Sequence, residues 1–266
     1  MDNRPIGFFD SGLGGLTSVS ALQNRLPLER VIYYGDTART PYGSKSPETI
    51  RKFASQIVDY LVSKDVKMIV IACNTVTSLA LPELRKQHPE LPIVGVIEPT
   101  VRKVVENHCD NVGIIATKAT INSGVYSELL HQMNPEIKTS SLACPAFVPL
   151  IEEGIIDNKI MDLTIQYYMD DFVKENGFKH LILGCTHYPL IAKNLNRVYP
   201  EIQLISSSES VIDEVEQILA ERDMFAEERT EEDRFYASDL SENFIRMTDR
   251  LTEGKNSRIK LKKMED

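Results

Sequence analysis

No stretch of this 266-residue chain approaches the run of roughly 18 apolar residues that a membrane span requires. The N-terminus, MDNRPIGFFDSG, also lacks the basic-then-apolar pattern of a secretion signal, so the expected location is the cytosol. Basic residues are in deficit, with 30 Lys and Arg against 39 Asp and Glu and a net charge of −9. An acidic chain without a basic stripe is a poor match for a phosphate backbone, which argues against nucleic acid as the main partner. Cysteine is scarce. Four along the chain, in a cytosolic protein, read as free thiols rather than a disulfide framework. Neither the CxxC spacing of a redox pair nor the paired Cys and His clusters of a zinc module occur, and no resident metal is expected. The glycine-rich segment DSGLGG (residues 10–15) fits neither GxGxxG nor the phosphate loop ending in GK[ST], so no nucleotide site is expected.

What is present is ordinary in bulk and ordered in pattern. Hydrophobic residues at 42% and charged residues at 26% suit a soluble globular protein of one large or two modest domains. Short apolar runs (IGFF, VIYY, MIVIA, PIVGV, VGIIA, HLILG, IQLIS) alternate with helical segments. Strands covered on both faces of a parallel sheet read this way, and the fold class is α/β. Ser46-Pro47-Glu48 offers an N-cap, a first-turn proline and an acidic first turn. Asp157 is a candidate cap for NKIMDLTIQYYMDDFVKEN, with Gly177 placed to end that helix. After Ser207 come an acidic helical stretch, a strand-like RFYAS and a helix from about Ser241 to Leu251. KNSRIKLKKMED then reads as a mobile end.

Two apolar runs end on a thiol: IVIACNT on Cys73 and LILGCTH on Cys185. The two stand in comparable positions of a weak internal duplication. IGFFDSGLGG opens one half and VGIIATKATINSG the other, and each half then reaches a strand that ends in cysteine. Ligands of open parallel sheets sit at the carboxyl ends of the strands, so two such halves facing each other would place one thiol on each side of a cleft. Strand-end position beside hydroxyl and amide donors suits a polarised thiol. Cys109 and Cys144 lack that setting and read as buried small hydrophobes. Asp10 brings a carboxylate to the tip of the first loop, either for proton handling or as a helix cap. The loop ARTPYGSKS (38–46) is a candidate binding loop or a plain connection. His187 could orient or charge Cys185, and Glu152 falls where a short helix ends.

Taken in order, GFFDSGLGGLT, YYGDTARTPYGSKS, ACNT, CPAFVPLIEEG and GCTHYPL resemble the glutamate racemases, cofactor-independent enzymes of a two-cysteine superfamily. The resemblance runs from about Ile6 to Ser208. It implies two similar α/β domains, each a mainly parallel sheet flanked by helices, with the active site between them. The first would comprise residues 1–97 plus 207–266, and the second, inserted, residues 98–206. It implies racemisation of glutamate without a cofactor, supplying D-glutamate for peptidoglycan, and a homodimer. Cys73 and Cys185 would act on opposite faces of the α-carbon, Cys73 serving D-glutamate and Cys185 serving L-glutamate. Asp10 would assist Cys73, and His187, steadied by Glu152, would assist Cys185. Substrate contacts are implied at Asp10, Ser11, Pro41, Tyr42, Gly43, Asn74, Thr75, Thr186 and His187, with Thr117 and Thr120 as further contacts. Three other readings stay open: an aspartate racemase, a two-domain amino-acid-binding protein, and a metal held by Cys73, Cys185 and His187.

Overall fold

The computed structural model describes residues 1–251 and 258–264. Its strands are β1 (Ile6–Asp10), β2 (Val31–Gly35), β3 (Met68–Ile71), β4 (Ile93–Gly95), β5 (Asn111–Ala116), β6 (Lys138–Ala143), β7 (His180–Gly184), β8 (Gln203–Ser206), β9 (Arg234–Ala237) and β10 (Arg258–Leu261). The helices that flank them are α1 (Leu16–Arg25), α2 (Pro47–Val62), α3 (Asn74–Gln87), α4 (Ile97–Glu106), α5 (Lys118–Ser123), α6 (Val125–Met133), α7 (Phe147–Glu152), α8 (Lys159–Asn176), α9 (Ala192–Val198), α10 (Ser207–Glu221) and α11 (Glu242–Leu251).

Two sheets result, with strand orders β10-β9-β2-β1-β3-β4 and β6-β5-β7-β8. Every strand pair is parallel. The order β2-β1-β3-β4 of the first sheet recurs in the second as β6-β5-β7-β8, so the weak duplication in the sequence corresponds to a repeated topology. In each unit the chain leaves the middle pair of strands in opposite directions. A crevice therefore opens at their carboxyl ends, between β1 and β3 and between β5 and β7. Cys73 follows β3, and Cys185 follows β7.

Apolar burial explains why these segments fold so. All five residues of β1 and of β2 are buried, as the continuous apolar runs require of strands covered on both faces. In α2, Ile50, Ala54, Ile57, Val58 and Leu61 form one buried stripe, and the Ser46 hydroxyl accepts from the Thr49 amide. Each large side chain so buried stabilises by about 1.5–3 kcal/mol. One core runs from Phe8 and Met68 through Val101 of α4 and Val211 and Val215 of α10 to Ile114 and Ile182. The two sheets are thus joined by continuous packing. Just before the amino end of β3, Lys67 is 1% exposed. Its Nζ donates to the carbonyls of Asp2 and Met224 and pairs with Glu29 at 2.7 Å, tying the N-terminal segment to the turn after α10.

Three details differ from the sequence reading. Asn158, not Asp157, caps α8, accepting from the Met161 amide, while Asp157 takes a positive φ and its carboxylate pairs with Arg197. Gly177 does end that helix, at φ +60°. The segment read as a mobile end contains β10, which extends the first sheet beside β9; residues 255–257 and 265–266 of it lie outside the described residues. Strand β6 carries no apolar run, because it is a half-exposed edge of Lys, Thr and Ser.

Candidate active site

The carboxyl edges of the two sheets meet around one small cavity. Ser11, Thr40, Pro41, Tyr42, Gly43, Cys73, Asn74, Thr75, Thr117, Val148, Cys185, Thr186 and His187 line it. Both thiols are buried, at 5% and 6% exposure, and both face this cavity. Its free volume is about 20 Å³, room for about one water.

Cys73 is the N-cap of α3, and its thiol donates to Ser11 Oγ at 3.6 Å. Burial first, and then the negative charge of Asp10, push this thiol up to about 12, against opposing hydrogen bonds from the Val76 amide and Ser11. A thiol so placed stays protonated at neutral pH. The amides that begin α3 are the donors that would receive its thiolate.

Cys185 has a different neighbour. His187 Nδ1 lies 3.9 Å from Cys185 Sγ, and His187 Nε2 donates to Glu152 Oε1 at 2.7 Å. An ionised carboxylate only accepts, which fixes the proton on Nε2. Burial opposes charge on this imidazole, but the bonds to Cys185 and Glu152 outweigh it and lift His187 well above its ordinary 6.5. An imidazolium is the kind of partner that holds a thiolate. The two thiols therefore sit in unlike electrostatic settings: an anion bears on Cys73, and a cation adjoins Cys185.

Asp10 is fully buried beneath the cavity rather than on its wall. It accepts from the amides of Gly12 and Gly15, and Thr186 Oγ1 donates to both of its oxygens, at 3.3 and 3.4 Å. Glu152 is not on the wall of the cavity, and its carboxylate holds His187, which is. Thr120 reaches it through a triangle of hydroxyls: Thr75 to Thr117 at 2.9 Å, Thr75 to Thr120 at 3.2 Å and Thr117 to Thr120 at 3.1 Å. Asn74 is held by Tyr126, which donates to Oδ1, and donates through Nδ2 to Ser207. The Tyr42 hydroxyl turns away from the cavity and donates to Asp36, so only the ring and backbone of Tyr42 are available to a ligand. Cys109 and Cys144 are buried in the cores, as their sequence setting implied.

Sequence reasoning missed Thr40 and Val148 on the wall, and Asp36 behind it. Asp36 is wholly buried and gathers Arg39, Tyr42 and Ser238, which shapes the 37–45 loop. Its signal was present as the carboxylate of YYGDTARTPYG, in a loop with no other reason to carry a buried acid. Gly14 was also undervalued. A Cβ there would stand 2.4 Å from Thr186 Oγ1 and 2.6 Å from His187 Nδ1, so the first loop touches the second sheet's site residues through bare backbone.

Among the described residues no group of three or more His, Cys, Asp or Glu side chains is placed to hold a metal ion. What the site offers instead is two thiols, hydroxyls and helix-start amides around one small space. Such a set can bind carboxylates and move a proton on either side of a bound carbon.

Comparison with known proteins agrees with this chemistry. A glutamate racemase of Neisseria meningitidis serogroup C is 41% identical over 243 residues, covering 91% of this chain and 90% of that protein. One from Geobacter metallireducens is 40% identical over 255 residues, covering 95% and 94%. The crystal structure of glutamate racemase from Francisella tularensis in complex with D-glutamate superposes with a TM-score of 0.93 at 37% identity, covering 100% of this chain and 99% of that one. The family model for Asp/Glu/Hydantoin racemase matches residues 17–215. By motif, topology and overall identity, the chain belongs to the Asp/Glu/hydantoin racemase family.

Proposed function

We propose that this protein interconverts L- and D-glutamate by proton transfer between two thiols and the α-carbon, supplying D-glutamate for peptidoglycan. The observation that carries the reading is the presence of Cys73 and Cys185, at equivalent places in two repeated sheets, on the wall of one cavity. Identity of about 40% to glutamate racemases over nearly the whole chain favours glutamate over aspartate as substrate.

In the L-to-D direction Cys185, as thiolate beside protonated His187, removes the α-proton. The Cys73 thiol gives its proton to the opposite face, which leaves Cys73 as thiolate and Cys185 as thiol. The reverse direction exchanges the roles. Enantiomers are mirror images, so two like bases on opposite sides serve both, where one base would need to reach two faces. Hydroxyls of Ser11, Thr75, Thr117 and Thr186, with amides at Gly43, Asn74 and Thr75, hold the substrate carboxylates without burying many opposing charges. Thr120 orients Thr75 and Thr117. Pro41 and Tyr42 shape the wall, Asp10 sets the charge beneath Cys73, and Glu152 steadies His187. The reading includes a homodimer in the cytosol, no resident cofactor, and two units of 1–97 plus 207–266 and 98–206.

Incubation with L- or D-glutamate in heavy water, without added cofactor, tests the reading. Chiral separation with mass analysis should find one deuterium at the α-position of the inverted product, with aspartate turned over far more slowly. Binding of glutamate without exchange of the α-hydrogen would point instead to a binding protein. Preferred turnover of aspartate would reassign the substrate.

A further inference from the structure

The two-thiol reaction leaves a debt of one proton, and the buried groups between the sheets suggest where it is settled. After each L-to-D event Cys185 holds a proton and Cys73 lacks one. The enzyme cannot accept a second L-glutamate until that proton has moved back. Asp10 is 0% exposed, and Thr186 and His187 are each 2% exposed, so with the site closed the groups around the thiols are sealed from bulk water, and their protons exchange with it only when the site opens. They are also in sequence. His187 Nδ1 lies 3.9 Å from Cys185 Sγ, Thr186 Oγ1 lies 3.5 Å from the same Nδ1, and Thr186 Oγ1 donates to Asp10 at 3.3 Å. Asp10 in turn is held below the crevice between β1 and β3 by the Gly12 and Gly15 amides, at the strand end beside the one that leads to Cys73.

Resting on the racemase reading above, we propose that Thr186 is the relay residue that resets the enzyme between turnovers, carrying a proton internally from the Cys185–His187 pair to Asp10 and so to Cys73. The transfers balance without any outside reagent. The Nδ1 proton of His187 passes to Thr186 Oγ1 as the Thr186 hydroxyl proton passes to an Asp10 oxygen. Asp10 then yields its proton to the Cys73 thiolate and is a carboxylate again. The Cys185 thiol refills His187 Nδ1 and becomes the thiolate. Rotation of the Thr186 hydroxyl completes the cycle, and the only net change is one proton moved from Cys185 to Cys73. A hydroxyl suits this place because it accepts and donates at once, which neither a methyl nor a carboxylate would do. Close approach matters as well: Gly14, lacking a side chain, leaves Thr186 the space to meet both His187 and Asp10.

The reset is measurable apart from substrate binding. Radiolabelled glutamate is brought to the racemic mixture and perturbed with a large excess of unlabelled L-glutamate. If reset is slow, enzyme accumulates in the form that takes D-glutamate, and label is driven transiently into L-glutamate, against the net flux. Thr186→Val, which keeps the shape and loses the hydroxyl, is expected to slow the reset by about a hundredfold, in the range of a lost proton-transfer group. That loss appears as counterflow of label at substrate concentrations where the wild type shows none. Thr186→Ser, which restores the hydroxyl, should return the wild-type pattern. In the wild type the reset should be indifferent to buffer concentration, whereas in Thr186→Val added small buffer acids should speed it.

A raised KM in Thr186→Val with no counterflow would make Thr186 a substrate ligand only and overturn the relay. So would a wild-type reset that buffer accelerates, a result that stands even if the valine variant does not fold. A wild type unable to racemise glutamate would defeat the proposed function itself, a result distinct from either.

Discussion

At the scale of single residues the site is asymmetric where the sequence looks symmetric. Cys73 and Cys185 both close an apolar strand, and the sequence made them a pair. It did not show that burial and Asp10 hold Cys73 as a thiol while a protonated His187 stands beside Cys185. Those differences come from groups remote in sequence: Asp10 is 63 positions before Cys73, and Glu152 is 35 before His187. Alkylation exposes the asymmetry. With substrate absent and pH near neutral, iodoacetamide followed by peptide mass mapping should mark Cys185 well before Cys73. Burial also raises the Cys109 and Cys144 thiols, so those two should lag as well. The sign follows from Cys73 being raised: its thiolate fraction is small below its folded value and grows about tenfold per pH unit, so its labelling should climb steadily as pH rises. Faster labelling of Cys73 than of Cys185 at neutral pH would contradict the reading of Cys73 as a resting thiol.

At the scale of elements, most strands and the main helix starts were legible, because continuous apolar runs and the Ser46-Pro47 cap have direct physical causes. What escaped were elements whose reason lies elsewhere in the fold. Strand β6 is polar because it is an edge, and β10 alternates charged and apolar residues and, among the described residues, pairs with β9 alone. Asp157 and Asn158 are both good caps by type, and the choice fell to Asn158 because Asp157 is drawn to Arg197. The 10–15 loop was legible as tight but not as a docking platform. Its backbone at Gly14 abuts Thr186 and His187, so Gly14→Ala should push both away from Asp10 and Cys185. Overpacking of this kind costs about 1–3 kcal/mol of stability, and the displacement of His187 should lower kcat/KM by roughly tenfold to a hundredfold. The loss must be equal for L- and D-glutamate, since enantiomers have equal free energy and the ratio of the two kcat/KM values is fixed at unity. Chiral assays in both directions, with thermal unfolding as a control, check it. Unchanged kcat/KM in a folded Gly14→Ala protein would show that the contact does not position His187.

At the scale of the whole molecule, the repeated order β2-β1-β3-β4 and β6-β5-β7-β8 brings the two thiols to one place. Duplication in the sequence hinted at this. The size of the space between them was beyond any reading of one chain, because it depends on how side chains from both sheets interlock. That space holds about one water, too little for glutamate, so the carboxyl edges of the sheets must part to admit substrate. Desolvation on closing would then act on the α-proton and both thiols together. The central claim is that each thiol owns one face of the α-carbon. It is tested most directly by Cys73→Ala and Cys185→Ala, each incubated in heavy water with each enantiomer, with inversion and α-deuteration followed separately. The expected result is loss of racemisation in both variants, with residual α-exchange confined to L-glutamate in Cys73→Ala and to D-glutamate in Cys185→Ala. Racemisation at the wild-type rate in either variant would contradict the two-thiol account.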